Sequence, residues 1–366
     1  MYNFAGNLPN GLSKSEKCKI IDELNHLKSK YQNQKCLFPC GCQNPPINSH
    51  TIQEAKLKLI ATENQVYHFD IRGSYDDYEL RLIPKKIYTK NASTFRGFCA
   101  KHDSNFFSDI ENEGKFDYKN RKHLFELFYR SVLMEFDIIN NTSAYLVERY
   151  KHKDLDVNFW MNYARYNLIK TYKEKIDKIY IRRQYSKLAH LIITFQDCLP
   201  LAVSNLASFD INFSTGENRF KKPTKQQRNT ILKDYSDEEI ERFSRICYML
   251  EPSPSAVFQI LPISPNFSIF ILSWLKDEES DAFLWKIAKS IYKTENLKAF
   301  SSLLLHYAFI SCENLYMSIP WFDSFDDGIK KYIAIMQADF TAMENFNYNL
   351  DKFSFEWKWK EKFIMK

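Results

Sequence analysis

Apolar residues first recur at helical spacing in SKSEKCKIIDELNHLKSKYQNQ (13–34), where Ile20, Ile21, Leu24 and Leu27 share one face among polar neighbours. The pattern predicts a short amphipathic helix. From 35 to 118 the periodicity breaks into short pieces. QVYHFDI and RLIPKKIYTK read as strands on either side of a polar turn, RGSYDDYE. KNRKHLFELFYRSVLMEFDII (119–139) returns to helical spacing, which continues to about residue 195 through the Lys/Arg-rich YARYNLIKTYKEKIDKIYIRRQYSKLAHL. After Pro200, LAVSNLASFDINFS reads as extended and STGENRFKKPTKQQRN (214–229) as a polar, basic loop. AVFQILPISPNFSIFILSWL (256–275) reads as two strands around a turn containing proline. SDAFLWKIAKSIYK and LKAFSSLLLHYAFISCENLYM are helical, and the tail FNYNLDKFSFEWKWKEKF alternates aromatic and charged residues. These elements predict an α+β fold, mostly helical, with a small sheet in the C-terminal domain. The expected division is a leading helix (1–34), a compact module (35–118) and a helix-rich α+β domain (119–366).

Composition narrows the functional classes. Glycine is scarce, 8 in 366 residues, and neither a G-x-G-x-x-G nor a G-x-x-x-x-G-K-[ST] is present, which sets nucleotide-fold readings aside. The net charge of +6 suits a nucleic-acid partner without requiring one. No apolar run approaches the roughly 18–20 residues of a membrane span, and the N-terminus has no secretory h-region. A soluble, cytoplasmic protein is expected.

The cysteines change the picture most. Three of the eight fall in KCLFPCGCQNPPINSH (35–50), and a fourth opens the pair Cys99-x2-His102 just before an expected helix. Clustered thiols in a reducing compartment read as metal ligands rather than disulfides. Structural zinc takes four N or S donors, usually as two short-spaced pairs far apart in sequence. Pro39 and Gly41 supply a tight turn for the first pair, and Cys99 and His102 lie one helical turn apart. Zn²⁺ is therefore expected on Cys99, His102 and two of Cys36, Cys40 and Cys42. His50 competes as a fourth ligand, or stands nearby as a hydrogen-bonded or catalytic histidine.

A cysteine knuckle, then SHTI, then a Cys-x2-His pair opening a helix resembles the treble-clef, ββα-metal arrangement of HNH endonucleases. The resemblance implies an N-terminal treble-clef zinc module in which Cys99 and His102 are the structural pair. It also implies that His50 is the general base and that Asp103 binds a catalytic Mg²⁺ or Mn²⁺, with Asn91 or Asn105 as the orienting amide. Asp103 would bind that ion almost alone unless Asp109 or Glu111 on the same helix assists, and Asp109, six residues on, does not share its face. The chain departs from the compact HNH pattern in its long His50–Cys99 separation, and no second histidine closely follows His102.

The blocks INSHTIQ, GFCAKHDSNFFSDIE and ENLYMSIPWF also resemble those of a group of bacterial proteins of unassigned function. They frame nearly the whole chain and imply one cohesive architecture. By analogy with bacterial proteins of this make-up, the setting is phage defence, with other defence-locus proteins as partners.

Other chemistries find little support. There is no G-x-S-x-G, and His306 and Cys312 face different directions on one helix. Glu313, Asn314, Tyr316, Trp321 and Asp323 form either an aromatic-packed helix end or the rim of a pocket. Two functions are therefore expected to compete. One is a metal-dependent, HNH-type nuclease in antiviral defence. The other is a non-enzymatic nucleic-acid- or protein-binding protein with structural zinc, binding through a basic helix (165–189) and loop (220–228).

Overall fold

The computed structural model describes residues 13, 15, 33–73, 80–111, 116–149, 157–218, 255–276, 281–338 and 352–366. The helix expected over 13–34 and the basic loop at 220–228 lie outside these, apart from residues 13, 15, 33 and 34.

A short strand β1 (Asn48–His50) pairs antiparallel with β4 (Thr94–Arg96). Between them the chain runs through a short helix α1 (Glu54–Lys58) and a hairpin of β2 (Gln65–Gly73) and β3 (Leu80–Tyr88). Helices α2 (Ala100–Glu111), α3 (Arg121–Arg149) and α4 (Val157–Ile181) follow. Then come β5 (Leu188–Phe195), β6 (Leu201–Ser208), the small ladder of β7 (Ile211–Asn212) with β8 (Glu217–Asn218), β9 (Ser255–Ser264) and β10 (Phe267–Leu275). The described chain ends with α5 (Asp281–Lys293), α6 (Leu297–Ser311), β11 (Leu315–Met317), α7 (Ile319–Asp323), α8 (Asp327–Ala338) and β12 (Trp359–Met365).

The expectation of a mostly helical protein with a small sheet is overturned. Eight strands form one antiparallel sheet in the order β12-β5-β10-β9-β6-β11-β2-β3. The physical reason is burial on both faces. Every residue of β5, LAHLIITF, is buried, so the polar/apolar alternation that marks a half-exposed strand is erased. Ala189, Leu191, Ile193 and Phe195 pack with α5, α6 and α8, while Leu188 and Ile192 pack with α2, α3 and α4. The sheet is thus the middle of three layers. Nor does the helical pattern reach 195: α4 ends at Ile181, and Arg183 leaves it with a left-handed φ of 54°. The end of the aromatic tail enters β12, an edge strand on β5.

Burial on both faces also draws polar side chains inside, where several make at least one hydrogen bond while Gln259 Oε1, His190 Nε2 and Thr194 Oγ1 have none. Gln259 Nε2 donates to Ser204 Oγ (2.9 Å), which shares a hydrogen bond with Ser131 Oγ (2.7 Å) and so ties α3 to the middle of the sheet. His190 bonds Ser273 Oγ at 2.7 Å, and its burial pushes its pKa down to about 3. Of the residues that had suggested a pocket rim, Asn314, Tyr316 and Trp321 are packed, while Glu313 and Asp323 are exposed. Asn314 Nδ2 donates to the Ser204 carbonyl (2.7 Å), and Trp321 lies edge-on to Phe325 at 4.8 Å. Among the described residues, no helix is long and apolar enough to cross a membrane.

The β1–β4 hairpin carries α1, β2 and β3 as an insertion, which accounts for the long His50–Cys99 separation. Its far end is fixed to the sheet at one seam. Tyr316 Oη accepts the Ser93 backbone N–H (2.6 Å), His68 stacks on Tyr316, and the His68 ring bonds the Leu315 carbonyl (3.2 Å). Ser93 in turn accepts the N–H groups of Thr51 and Ile52, the two residues after His50. Tyr316→Phe therefore strands a buried N–H. It should lower unfolding free energy by about 1–3 kcal/mol, read from denaturant melts, and no change would show that Ser93 finds another acceptor.

Candidate metal centre and the adjoining polar cluster

The knuckle is held by backbone bonds from Cys36 N to Asn44 O (3.0 Å) and from Leu37 N to Gly97 O (2.9 Å). Gly41 makes the turn at φ +70°, where a Cβ would be strained. Cys99 precedes α2 directly, and its carbonyl accepts the first helical bond from Asp103 N (2.9 Å). His102 therefore sits in the first turn, with its ring stacked on Phe38 at 4.1 Å.

Donor atoms of Cys36, Cys42, Cys99 and His102 all lie within 4.8 Å of one another. His102 Nδ1 is 3.3 Å from Cys36 Sγ and 3.4 Å from Cys99 Sγ, and the thiols of Cys42 and Cys99 are 3.9 Å apart. Around a tetrahedral zinc with bonds of about 2.3 Å to sulfur and about 2.0 Å to nitrogen, donors stand roughly 3.5–3.8 Å apart. The cluster can hold a metal ion such as zinc. Cys40 lies elsewhere: it is exposed, with its Sγ 3.7 Å from His102 Nε2, on the opposite edge of the ring. A metal-bound imidazole needs an acceptor at that edge to fix its tautomer. His50 does not enter the four-donor group.

Burial pushes the Cys36 thiol up to about 11. Cys99 also feels desolvation, but hydrogen bonds from the His102 backbone and from Cys36 and Cys42 bring it below the ordinary thiol value. Deprotonating this set together is what a divalent cation accomplishes.

Beside the knuckle lies a second group that sequence spacing only half revealed. His50 ends β1 and Asp103 occupies the first turn of α2. Among the described residues thirteen buried side-chain polar atoms have no hydrogen-bond partner, and His50 Nε2, Asp103 Oδ1 and both Nε and Nη1 of Arg130 are four of them; the Ser49 hydroxyl stands close enough to bond the Asp103 carboxyl. Desolvation raises the Asp103 pKa, and the Ser49 hydroxyl, Arg130 and His50 partly offset it. Arg130, on α3, is 1% exposed. Its guanidinium stacks 3.7 Å above the Phe107 ring and donates through Nη2 to Glu111 Oε1. Lys56 stands near enough to Arg130 for the two like charges to interact, and burial together with that repulsion lowers its pKa. No local motif marks Arg130, because it reaches the site from a helix whose pattern reads as ordinary core.

The other expected helpers lie apart. Asn91 is exposed in the turn after β3, and Asn105 is exposed on α2. Asp109 pairs with Lys122, and Glu111 with Arg130. Lys122 also approaches Glu126 (3.4 Å), a carboxyl whose burial raises its pKa to about 7. A raised folded-state value stabilises below the unfolded pKa and loses that contribution as pH rises through the folded one. Glu126→Gln should therefore match wild type near pH 4.5 and exceed it by about 1–2 kcal/mol at pH 8, seen as a difference in melting temperature that widens with pH. A constant difference would mean that Glu126 does not titrate in this range.

No protein-family model, curated protein or solved structure matches the chain.

Proposed function

We propose that this protein is a nuclease of HNH type, with His50 as general base, Asp103 as the oxygen ligand of a catalytic divalent cation, and the Cys36–Cys42–Cys99–His102 zinc as the structural brace. One observation supports the reading above all. The end of β1 and the first turn of α2, held together by the cysteine–histidine cluster, converge on buried polar atoms that have no partner within the protein. Buried polar groups are normally satisfied, so each exception calls for a reason, and here a bound ion and substrate would supply it.

The donor set suits Mg²⁺ or Mn²⁺. Asp103 offers a carboxylate oxygen free of internal bonds, and such ions characteristically take one or two carboxylates and fill the remaining positions with water and substrate phosphate oxygens. When bound, the cation would supply charge neutralisation at phosphorus. The chain's own residues do the rest. His50 Nε2 takes a proton from water, the water oxygen attacks phosphorus, and the P–O bond to the leaving oxygen breaks. The exposed face of α4 and the residues after it, Lys170, Lys175, Lys178, Arg182 and Arg183, supplies a basic track for the phosphate backbone. The same track favours the second reading, a nucleic-acid-binding protein without catalysis. Free thiols and zinc suit the cytoplasm, and the resemblance noted above suggests bacterial antiviral defence, among other proteins of such a locus.

The test is to incubate the purified, zinc-loaded protein with plasmid DNA, single-stranded DNA and RNA, with Mg²⁺ or Mn²⁺ or with EDTA. Cleavage that needs the divalent ion is expected. Binding without cleavage of any of the three would leave only the second reading.

A further inference from the structure

Arg130 and Glu111 form a pair in which the two partners have very different freedom. Arg130 is buried and clamped on the Phe107 ring, whereas the Glu111 side chain at the end of α2 is 35% exposed. The carboxylate can turn into water, but only if another anion takes its place, because a buried guanidinium left without a counter-charge is strongly destabilising. The guanidinium cannot follow it. Its Nε and Nη1 donors are already without partners, so departure of Glu111 leaves a buried cation with every donor pointing at an unmet need. A desolvated guanidinium in that state is met best by a planar or tetrahedral oxyanion that takes two N–H bonds at once. Asp103 and His50 are within electrostatic reach, so the anion that takes this place would lie beside the proposed reacting atoms.

We propose that Arg130 is the phosphate clamp of the nucleic-acid site and that Glu111 is its resting counter-anion, displaced by a phosphodiester of the bound strand. The proposal rests on the nuclease reading for the identity of the anion. It adds a binding residue contributed by α3, outside the zinc module, and an exchange of one anion for another on entry of substrate. Glu111 thus competes with substrate, and the two residues have opposite effects on affinity.

The experiment measures binding of a fluorescein-labelled DNA oligonucleotide and its RNA counterpart by anisotropy, over a range of salt, with the full-length zinc-loaded protein in metal-depleted buffer with no added Mg²⁺ or Mn²⁺. Zinc content and melting temperature are checked for each variant. Glu111→Gln, which removes the competing charge, should bind about threefold more tightly or better. Arg130→Gln should bind about tenfold more weakly, with a salt slope reduced by about one. Arg130→Lys should keep the slope and still lose affinity, because a point charge cannot make the paired contact. If either Arg130 variant fails to fold, the gain from Glu111→Gln carries the test alone, since that carboxylate is exposed. Unchanged affinity in Glu111→Gln, or a loss in the same direction as Arg130→Gln, would overturn the clamp, as would a wild type that binds neither oligonucleotide. Divalent-dependent cleavage by a wild type whose Glu111 and Arg130 variants bind unchanged would sink the clamp and spare the nuclease. Opposite shifts in a protein that never cleaves would do the reverse.

Discussion

If the proposed nuclease reading is right, replacing His50 with alanine should leave metal content and fold in place and lower nucleic-acid cleavage by about two to four orders of magnitude, the usual contribution of a general base. The structure separates this outcome from its rivals. His50 stands outside the four donors that gather around a metal position. Its backbone pairs with Thr94 whatever its side chain, and its Nε2 has no partner to be orphaned by truncation. Metal analysis, thermal melting and a cleavage assay on the same preparations decide the matter. Loss of zinc would make His50 a ligand, and unimpaired cleavage would remove it from the chemistry.

The second large effect is expected at the knuckle. Cys99→Ser should abolish stoichiometric zinc and cost about 4 kcal/mol of stability, which is what a ligand contributes at a thousand times its Kd. Cys99 is buried, with its Sγ 3.4 Å from His102 Nδ1 and 3.9 Å from Cys42 Sγ, so loss of this one sulfur removes a donor from the centre of the set. Cys40→Ser should keep the metal, because its thiol faces the outer nitrogen of His102 and serine can still accept a hydrogen bond there. Zinc release followed with a chromogenic chelator, beside the melting curves, separates the two. A Cys40 variant that loses zinc while a Cys42 variant retains it would exchange their roles.

Much of this site is local in sequence and could be read there. Cys99 and His102 are three residues apart at the start of a helix, and the first cysteines crowd around a proline and a glycine. The choice between Cys40 and Cys42 could not be read, because it depends on the left-handed turn at Gly41 rather than on spacing. Arg130 was invisible for another reason. Its partners Phe107 and Glu111 lie on a different helix, and nothing in HLFELFYRSVLM distinguishes a clamp from a core arginine. In the fold, the helix of 119–139 and the paired strands of 256–275 follow from their own periodicity. The extent of the sheet does not. β5 is buried throughout and continues a helical stretch, β11 is only three residues long, and β12 lies in an aromatic tail. Each becomes a strand because of a neighbour distant in the chain.

That strand order has a consequence for how the chain comes off a ribosome. β2 and β3 emerge early, yet the strand that joins them to the sheet, through Met317 opposite Tyr67, is made only when most of the chain has been synthesised. The opposite edge waits longer still, for β12 beside β5. Tyr316, which steadies Ser93 and through it the two residues following His50, arrives in the same late segment. The four candidate ligands are all in place by residue 102, long before the residue that braces the proposed catalytic histidine. Chains cut short by premature termination would hold the candidate ligands and lack that brace.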